Sequence, residues 1–229
     1  MARLAWGERR LGFPTQDKNR LLLEANSLLF DSPRSVLKII LTRGSGGRGY
    51  RPSTTPQINR LLSLHDWPNY PSHWFTDGIK LRICNTRLGR NERLAGIKHL
   101  NRLEQVLARQ EWDDPDIPEG LMLDEQGQVI EATQSNLFLL RGGVLNTPDL
   151  SKSGVAGVVR ELVIEVAREL GMKCVISTVS IEGLTSADAL FLTSSLLGIC
   201  PVARLDDCLY DLRAIPQVLR ERVSSAALG

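Results

Sequence analysis

Apolar residues recur at steps of three and four in several stretches of the chain, which is the spacing of one helix face. The clearest stretch is Val155–Leu170, after which Gly171 supplies a stop signal. Leucines between Asp17 and Leu29, and good helix formers after Lys98, also fit a helix. The predicted helices therefore cover residues 17–29, 98–109 and 155–170, with a further helix after Pro216.

Shorter apolar stretches are rich in β-branched residues and are bounded by turn residues, which is typical of strands. Two of them flank Glu125-Gln126-Gly127, a turn sequence that predicts a hairpin. The predicted strands are Val36–Thr42, Lys80–Cys84, Gly120–Asp124, Gln128–Ala132, Asn136–Leu140, Lys173–Ser177 and Ala189–Thr193. Because strands outnumber helices and pair through hairpins, we predict a mixed α/β or α+β fold rather than a doubly wound parallel sheet.

One segment of the chain is typical of a linker. Trp67–Trp74 contains two prolines and little periodicity. We therefore predict a small N-terminal α/β domain over residues 1–76 and a larger C-terminal domain over residues 77–229.

Composition and charge exclude some classes of protein. The chain is 42% hydrophobic, yet no apolar run is long enough to span a membrane. A net charge of +2, with basic residues scattered among acids, argues against nucleic-acid binding. The cysteines are far apart, no signal peptide is evident, and no histidine or cysteine spacing suits a metal. We predict a cytoplasmic protein with reduced thiols and no metal.

The densest candidate motif for chemistry runs from Arg87 to Glu104 and contains Lys98 directly after Ala-Gly-Ile. A lysine amine binds a carbonyl covalently once it loses its proton, and partial burial or a neighbouring cation favours that loss. Taken alone, a solvated lysine at a helix start explains the same residues.

A second motif, from Gln128 to Phe138, places Glu131 in an apolar strand. A carboxylate is costly there unless it is paired. A pyridine nitrogen is a suitable partner, because the carboxylate keeps the nitrogen protonated and the ring can then accept electrons. Taken alone, the wet face of a hairpin strand is the simpler explanation.

Two glycine-containing segments are candidates for anion binding. Ser153–Arg160 leads into the predicted helix at 155–170, whose first N–H groups and dipole suit a phosphate. Leu41–Tyr50 holds four glycines and two arginines but lacks the lysine and hydroxyl of a P-loop. An ordinary helix start and a flexible loop are the alternatives.

Taken together, these motifs resemble the aminodeoxychorismate lyase family. The resemblance rests on Arg-Gly-Ser-Gly-Gly-Arg-Gly-Tyr, on Arg-Leu-Gly-Arg-Asn with Leu-Ala-Gly-Ile-Lys-His-Leu-Asn-Arg-Leu-Glu-Gln, and on Glu-Ala-x-x-Ser-Asn-Leu-Phe. These lyases are similar to branched-chain and D-amino-acid aminotransferases and share their fold type IV. The resemblance therefore implies a two-domain pyridoxal phosphate enzyme.

The resemblance also implies roles for matching residues. Lys98 holds the cofactor covalently and moves protons, and Glu131 pairs with the pyridine nitrogen. For the cofactor phosphate, the implied ligands are Arg3, Gly157, Val158 and the Thr193–Ser195 segment, with Ser194 and Ser195. For the substrate carboxylates, the implied ligands are Arg48 and Tyr50.

The chain departs from the family pattern at its start. The family has a further N-terminal segment that supplies strands of the small domain, whereas Met1 lies almost at the phosphate arginine, Arg3. The resemblance therefore implies a small domain that is truncated at its start.

The implied activity is conversion of 4-amino-4-deoxychorismate to 4-aminobenzoate and pyruvate, for folate biosynthesis. The implied partners are the small-molecule substrate and a second copy of the chain, because the group forms homodimers. Two alternatives stay open: a branched-chain or D-amino-acid aminotransferase on the same scaffold, and a truncated non-catalytic paralogue.

Overall fold

The computed structural model describes residues 1–29 and 34–228. These residues form two compact units, one over Met1–Asn69 and one from Tyr70 onward. The division lies before the predicted boundary at residue 76, because Tyr70, Trp74 and Phe75 pack against the core of the second unit. The assignment of functional domains on either side of residue 76 stays a prediction.

The first unit contains helices α1 (Ala2–Arg10) and α2 (Lys18–Leu28) and a two-stranded antiparallel sheet, β1 (Ser35–Thr42) with β2 (Asn59–Asp66). The side chain of Asp17 caps α2 by accepting hydrogen bonds from the backbone N–H groups of the first turn. Helix α1 and strand β2 were not predicted.

The second unit is a nine-stranded mixed sheet with helices. Its strands are β3 (Ile79–Leu88), β4 (Glu119–Asp124), β5 (Val129–Ala132), β6 (Asn136–Arg141), β7 (Val144–Pro148), β8 (Cys174–Ser177), β9 (Ala189–Ser194), β10 (Gly198–Leu205) and β11 (Cys208–Leu209). Its helices are α3 (His73–Thr76), α4 (Leu103–Arg109), α5 (Val158–Glu169), α6 (Ile181–Thr185) and α7 (Gln217–Leu228), with a 3₁₀ turn at Leu212–Ala214. The strand order is β5-β4-β3-β10-β9-β6-β7-β8, and β11 pairs with β10.

The pairing within this sheet confirms the predicted mixed α/β fold. Strands β3/β4, β3/β10 and β7/β8 are parallel, whereas β4/β5, β6/β7, β6/β9 and β9/β10 are antiparallel. The predicted hairpin across Glu125–Gly127 is the β4/β5 pair.

Strand β6 shows how the core is divided between the two faces of the sheet. Leu137 and Leu139 join one buried cluster, and Phe138 and Leu140 join the other. This alternation is the two-residue period of a strand. The second cluster includes the faces of α5 and α7, so α5 is held on the sheet by its apolar stripe.

Two predicted helices begin later than expected. The helix predicted from Lys98 begins at Leu103, and the helix predicted from Val155 begins at Val158. Residues before each helix pair with one another instead, through an isolated parallel bridge between Gly96 and Val155. None of the helices in the described part of the chain is long and apolar enough to cross a membrane.

Candidate active site

Lys98 lies on the irregular segment between β3 and α4, and it is exposed. The backbone before it is fixed by two hydrogen bonds: Gly96 N–H donates to the Gly154 carbonyl at 2.9 Å, and Ala156 N–H donates to the Gly96 carbonyl at 2.9 Å. Gly96 has a φ of 77°, a conformation that favours glycine. The lysine segment is therefore anchored to the residues that precede α5.

Arg102 supports the same segment from the other side. Its Nη2 donates a hydrogen bond to the Ile97 carbonyl at 3.1 Å. Burial lowers the pKa of the Arg102 guanidinium, and the nearby negative charges of Glu131 and Glu104 oppose that shift. Arg102 thus places a positive charge near Glu131 while it holds the backbone next to Lys98.

Glu131 lies on β5 and is buried, with 4% of its surface exposed. Its Oε2 accepts hydrogen bonds from the Val155 backbone N–H at 2.8 Å and from Asn136 Nδ2 at 3.4 Å. Burial raises the pKa of the Glu131 carboxyl to about 7, against the lowering effect of the Val155 N–H and of the Arg102 and Lys98 charges. The predicted pair, Lys98 and Glu131, therefore shares one electrostatic environment.

Asn136, the first residue of β6, links Glu131 to the start of α5. Its Nδ2 also donates to the Val155 carbonyl at 2.8 Å, and its Oδ1 accepts from the Gly157 N–H at 3.1 Å. A Cβ on Gly157 would lie 2.2 Å from Asn136 Oδ1, so residue 157 has to be glycine for this contact to form. Val158 follows as the first residue of α5 and is exposed.

The end of β9 lies next to Asn136, because Asn136 and Thr193 are directly opposite in the β6/β9 pair. Opposite residues in an antiparallel pair point to the same face. The Thr193 hydroxyl is buried and makes no hydrogen bond within the described residues. Ser194 Oγ accepts from Leu197 N–H at 3.2 Å, and Ser195 is exposed in the turn that follows.

The second unit contains six of the predicted site residues: Lys98, Glu131, Gly157, Val158, Ser194 and Ser195. The hydrogen bonds described above join the Lys98 segment, Glu131 and Gly157. Arg3 on α1, and the exposed Arg48 and Tyr50 in the glycine-containing loop, belong to the first unit and stay predictions.

Three contributors to this network were not singled out from the sequence: Arg102, Asn136 and Gln105, whose side chain helps to lower the pKa of the Glu131 carboxyl against the effect of burial. Asn136 carried a signal, since it stands in the Ser-Asn part of the second motif. Arg102 and Gln105 stand in the block after Lys98 that carries the family resemblance, but the sequence assigned neither of them a role.

A mixed sheet, a lysine segment paired to the start of a helix, and a buried glutamate beside both define a class IV aminotransferase-type enzyme. The chain belongs to the amino-transferase class IV family, whose model matches residues 1–205. This confirms the family resemblance inferred from the motifs.

The relatives within the family include lyases and aminotransferases. The chain is 37% identical to the aminodeoxychorismate lyase of Vibrio harveyi over 193 residues, which is 84% of this chain and 71% of that protein. It is similar to the crystal structure of 4-amino-4-deoxychorismate lyase from Pseudomonas aeruginosa, with a TM-score of 0.91, 42% identity, and coverage of 98% of this chain and 82% of that one. It is also 34% identical to a probable branched-chain-amino-acid aminotransferase of Thermotoga maritima, over 79% of this chain and 65% of that protein.

Proposed function

We propose that this chain is a pyridoxal phosphate-dependent aminodeoxychorismate lyase, which converts 4-amino-4-deoxychorismate to 4-aminobenzoate and pyruvate. The observation that carries the proposal is the network that joins the Lys98 segment, the buried Glu131 and the start of α5. The identities of 37% and 42% to proteins with that name support it.

The residues present suit pyridoxal phosphate. Lys98 offers an amine for the cofactor aldehyde, and Glu131 offers a buried carboxylate for the pyridine nitrogen. The buried Thr193 hydroxyl has no partner within the described residues. The Gly157 N–H is taken by Asn136, but the first turn of α5 after it offers backbone N–H groups. The hydroxyl and these N–H groups suit a phosphate. When bound, the cofactor supplies an electron-accepting ring. The assignments of Arg3 to the phosphate and of Arg48 and Tyr50 to substrate carboxylates stay predictions.

In the proposed reaction, Lys98 acts as the proton carrier. Its amine takes the proton from the ring carbon that bears the substrate nitrogen, and a proton is returned to the enolpyruvyl group, which leaves as pyruvate. The remaining ring becomes aromatic. Glu131 places a carboxyl group at a fixed point close to Lys98. Arg102 holds the backbone next to Lys98, and Asn136 hydrogen-bonds the Glu131 carboxyl.

A branched-chain or D-amino-acid aminotransferase is the second candidate, because a probable branched-chain aminotransferase is among the relatives. Such an enzyme transfers an amino group in two half-reactions, so an amino acid added alone converts the cofactor to pyridoxamine phosphate. A lyase releases pyruvate without an amino donor. This difference separates the two functions in one assay.

The first test is the visible spectrum of the purified chain with pyridoxal phosphate, followed by borohydride reduction and peptide mapping. We expect the protein with pyridoxal phosphate to absorb more visible light than the free cofactor alone. After reduction, peptide mapping should find the cofactor attached to Lys98. Lys98→Arg should abolish the label and lower the release of 4-aminobenzoate by at least about a hundredfold, the scale of a lost proton carrier. Lys173→Arg, at an exposed lysine that begins the approach to β8, is the matched control. Label elsewhere, or none on a folded chain, would contradict the proposal.

We also propose a homodimer, supported by exposed apolar residues on and before α4. Leu100, Leu103, Val106 and Leu107 have between 48% and 70% of their surface exposed. Leu103, Val106 and Leu107 follow helical spacing, so they form one stripe, which we call the α4 apolar face. Apolar surface of this kind marks interaction sites. The cytoplasmic location stays a prediction from the sequence.

A further inference from the structure

Glu119 is a buried carboxylate to which the proposed reaction assigns no role. It is the first residue of β4 and has 2% of its surface exposed. Burial raises the pKa of its carboxyl, and hydrogen bonds from Ser135, Thr133 and Gln134 oppose that shift. Burying a carboxyl group costs free energy unless hydrogen bonds compensate for the lost water. The residues that hydrogen-bond Glu119 therefore indicate its role.

All of these partners lie in one short turn. Thr133 Oγ1 donates to Glu119 Oε2 at 2.6 Å, and Ser135 Oγ donates to Oε1 at 2.6 Å. The Gln134 backbone N–H also donates to Oε2, at 3.3 Å. One carboxyl group thus holds three consecutive residues.

This turn connects two residues of the candidate site, Glu131 and Asn136. It leaves β5 directly after Glu131 and Ala132 and enters β6 at Asn136. Ala132 N–H donates to the Ser135 carbonyl at 2.8 Å, which closes the turn. The conformation of residues 133–135, together with the strand pairing of β5 and β6, therefore sets where Asn136 stands relative to Glu131.

That relative position matters because Asn136 makes three separate contacts. Its amide donates to Glu131 Oε2 and to the Val155 carbonyl, and it accepts from Gly157 N–H. A change in the turn that moved Asn136 would alter both the support of Glu131 and the start of α5.

We infer that Glu119 is a positioning residue that holds the 133–135 turn and thereby aligns Glu131 and Asn136 with the proposed cofactor. The inference rests on the proposed function, since it concerns the same site. It also gives Ser135 of the Glu-Ala-x-x-Ser-Asn motif a physical role, as the donor that ties the turn to Glu119.

The test compares four variants with the wild-type chain by titration with pyridoxal phosphate. Glu119→Ala removes the acceptor, Ser135→Ala removes one donor, and Glu119→Gln keeps an acceptor oxygen of the same reach. Asp124→Asn is the matched control, because Asp124 ends the same strand, is also 2% exposed and also caps a turn, by accepting from the Gln126 and Gln128 N–H groups at 2.9 Å. The readouts are the cofactor dissociation constant, the visible circular dichroism of the bound cofactor, and thermal unfolding without cofactor.

We expect Glu119→Ala to weaken cofactor binding by roughly tenfold or more, the scale of lost hydrogen bonds to a charged group, and to change the visible circular dichroism band. Ser135→Ala should act in the same direction with a smaller effect, and Glu119→Gln should restore most of the affinity and the wild-type band. Asp124→Asn should lower thermal stability while both cofactor readouts stay at wild-type values.

Two results would overturn the inference. One is that Glu119→Ala and Ser135→Ala both fold and bind the cofactor with wild-type affinity and a wild-type circular dichroism band. If Glu119→Ala does not fold, the result for Ser135→Ala alone decides. The other is that Asp124→Asn loses as much cofactor affinity as Glu119→Ala when the two variants lose the same thermal stability. Glu119 would then act only through general stability. A wild-type chain that does not bind the cofactor would instead contradict the proposed function, and this inference with it.

Discussion

At the scale of single residues, Glu131 is the side chain whose chemistry depends most on the fold. Burial disfavours its charged form, whereas the Val155 N–H and the charges of Arg102 and Lys98 favour it. Burial has the larger effect and raises the pKa to about 7, so both protonation states are populated near neutral pH. A positive charge placed against Glu131 would shift this balance strongly towards the carboxylate.

Stability of the cofactor-free chain should therefore depend on pH through Glu131. Its pKa in the folded state, about 7, lies above its ordinary value of 4.5, so the folded state keeps a proton that the unfolded state has released. The free energy of unfolding should fall as pH rises from about 4.5 to about 7, by up to about 3 kcal/mol. Glu131→Gln should remove this part of the pH dependence in urea unfolding.

Glu125→Gln, at an exposed residue of the β4/β5 turn, is the control and should keep the wild-type pH dependence. An identical pH dependence in wild type and Glu131→Gln would show that Glu131 ionises normally in the folded chain.

At the scale of elements, most strands could be predicted from the sequence, because β-branched runs between turn residues depend on local composition. Strand β10 was not predicted, and it contains Pro201, a residue type that argues against a central strand. The structure accommodates Pro201 because pairing with β3 begins only at Val202, so Pro201 lies outside that ladder.

The predicted start of α4 was wrong for a different reason. Residues around Lys98 have good helix propensity, but Gly96 pairs with Val155, and this contact joins segments far apart in sequence. The same limit applies to the candidate site: Lys98 and Glu131 stood out within their motifs, whereas Gln105 and Arg102 gain their roles only from tertiary contacts.

The start of α5 should not tolerate a side chain at residue 157. In Gly157→Ala the new Cβ would lie 2.2 Å from Asn136 Oδ1, so Asn136 or the helix start has to move. We expect a loss of about 1–3 kcal/mol in the free energy of unfolding, typical of overpacking, together with weaker cofactor binding. Urea unfolding and cofactor titration measure the two effects.

The matched control is Gly183→Ala in α6, where the nearest atom to a new Cβ is 3.7 Å away. It should be neutral or slightly stabilising, since alanine favours a helix over glycine. Equal stability of both variants would mean that the contact between Gly157 and Asn136 is not tight.

At the scale of the whole molecule, the α4 apolar face is a notable exposed feature. Leu103 is 70% exposed although it begins a helix whose other side packs on the sheet through Ala108. The face follows the lysine segment directly along the chain. A second copy that covers it would bury apolar surface next to residues of the candidate site.

The proposed dimer should therefore depend on this face. We expect wild type to sediment as a dimer, and the double variant Leu103→Asp with Val106→Asp to sediment as a monomer, because a charge in a buried apolar contact is costly. Leu209→Asp, at a residue of β11 that is 79% exposed, is the control and should stay dimeric. A monomeric wild-type chain at micromolar concentration, or a dimeric double variant, would count against this interface.

The pairing of Gly96 with residues 154–156 has a consequence for how such a protein can diversify. Both hydrogen bonds of this pairing join main-chain atoms, so they do not depend on the flanking side chains. The exception is position 96 itself, where the positive φ favours glycine. Substitutions around Lys98 that keep Gly96 would therefore leave both hydrogen bonds in place. A framework of this kind would let natural selection alter substrate preference while the lysine segment stays paired with the residues before α5, and lyases and aminotransferases both occur among the relatives of this chain.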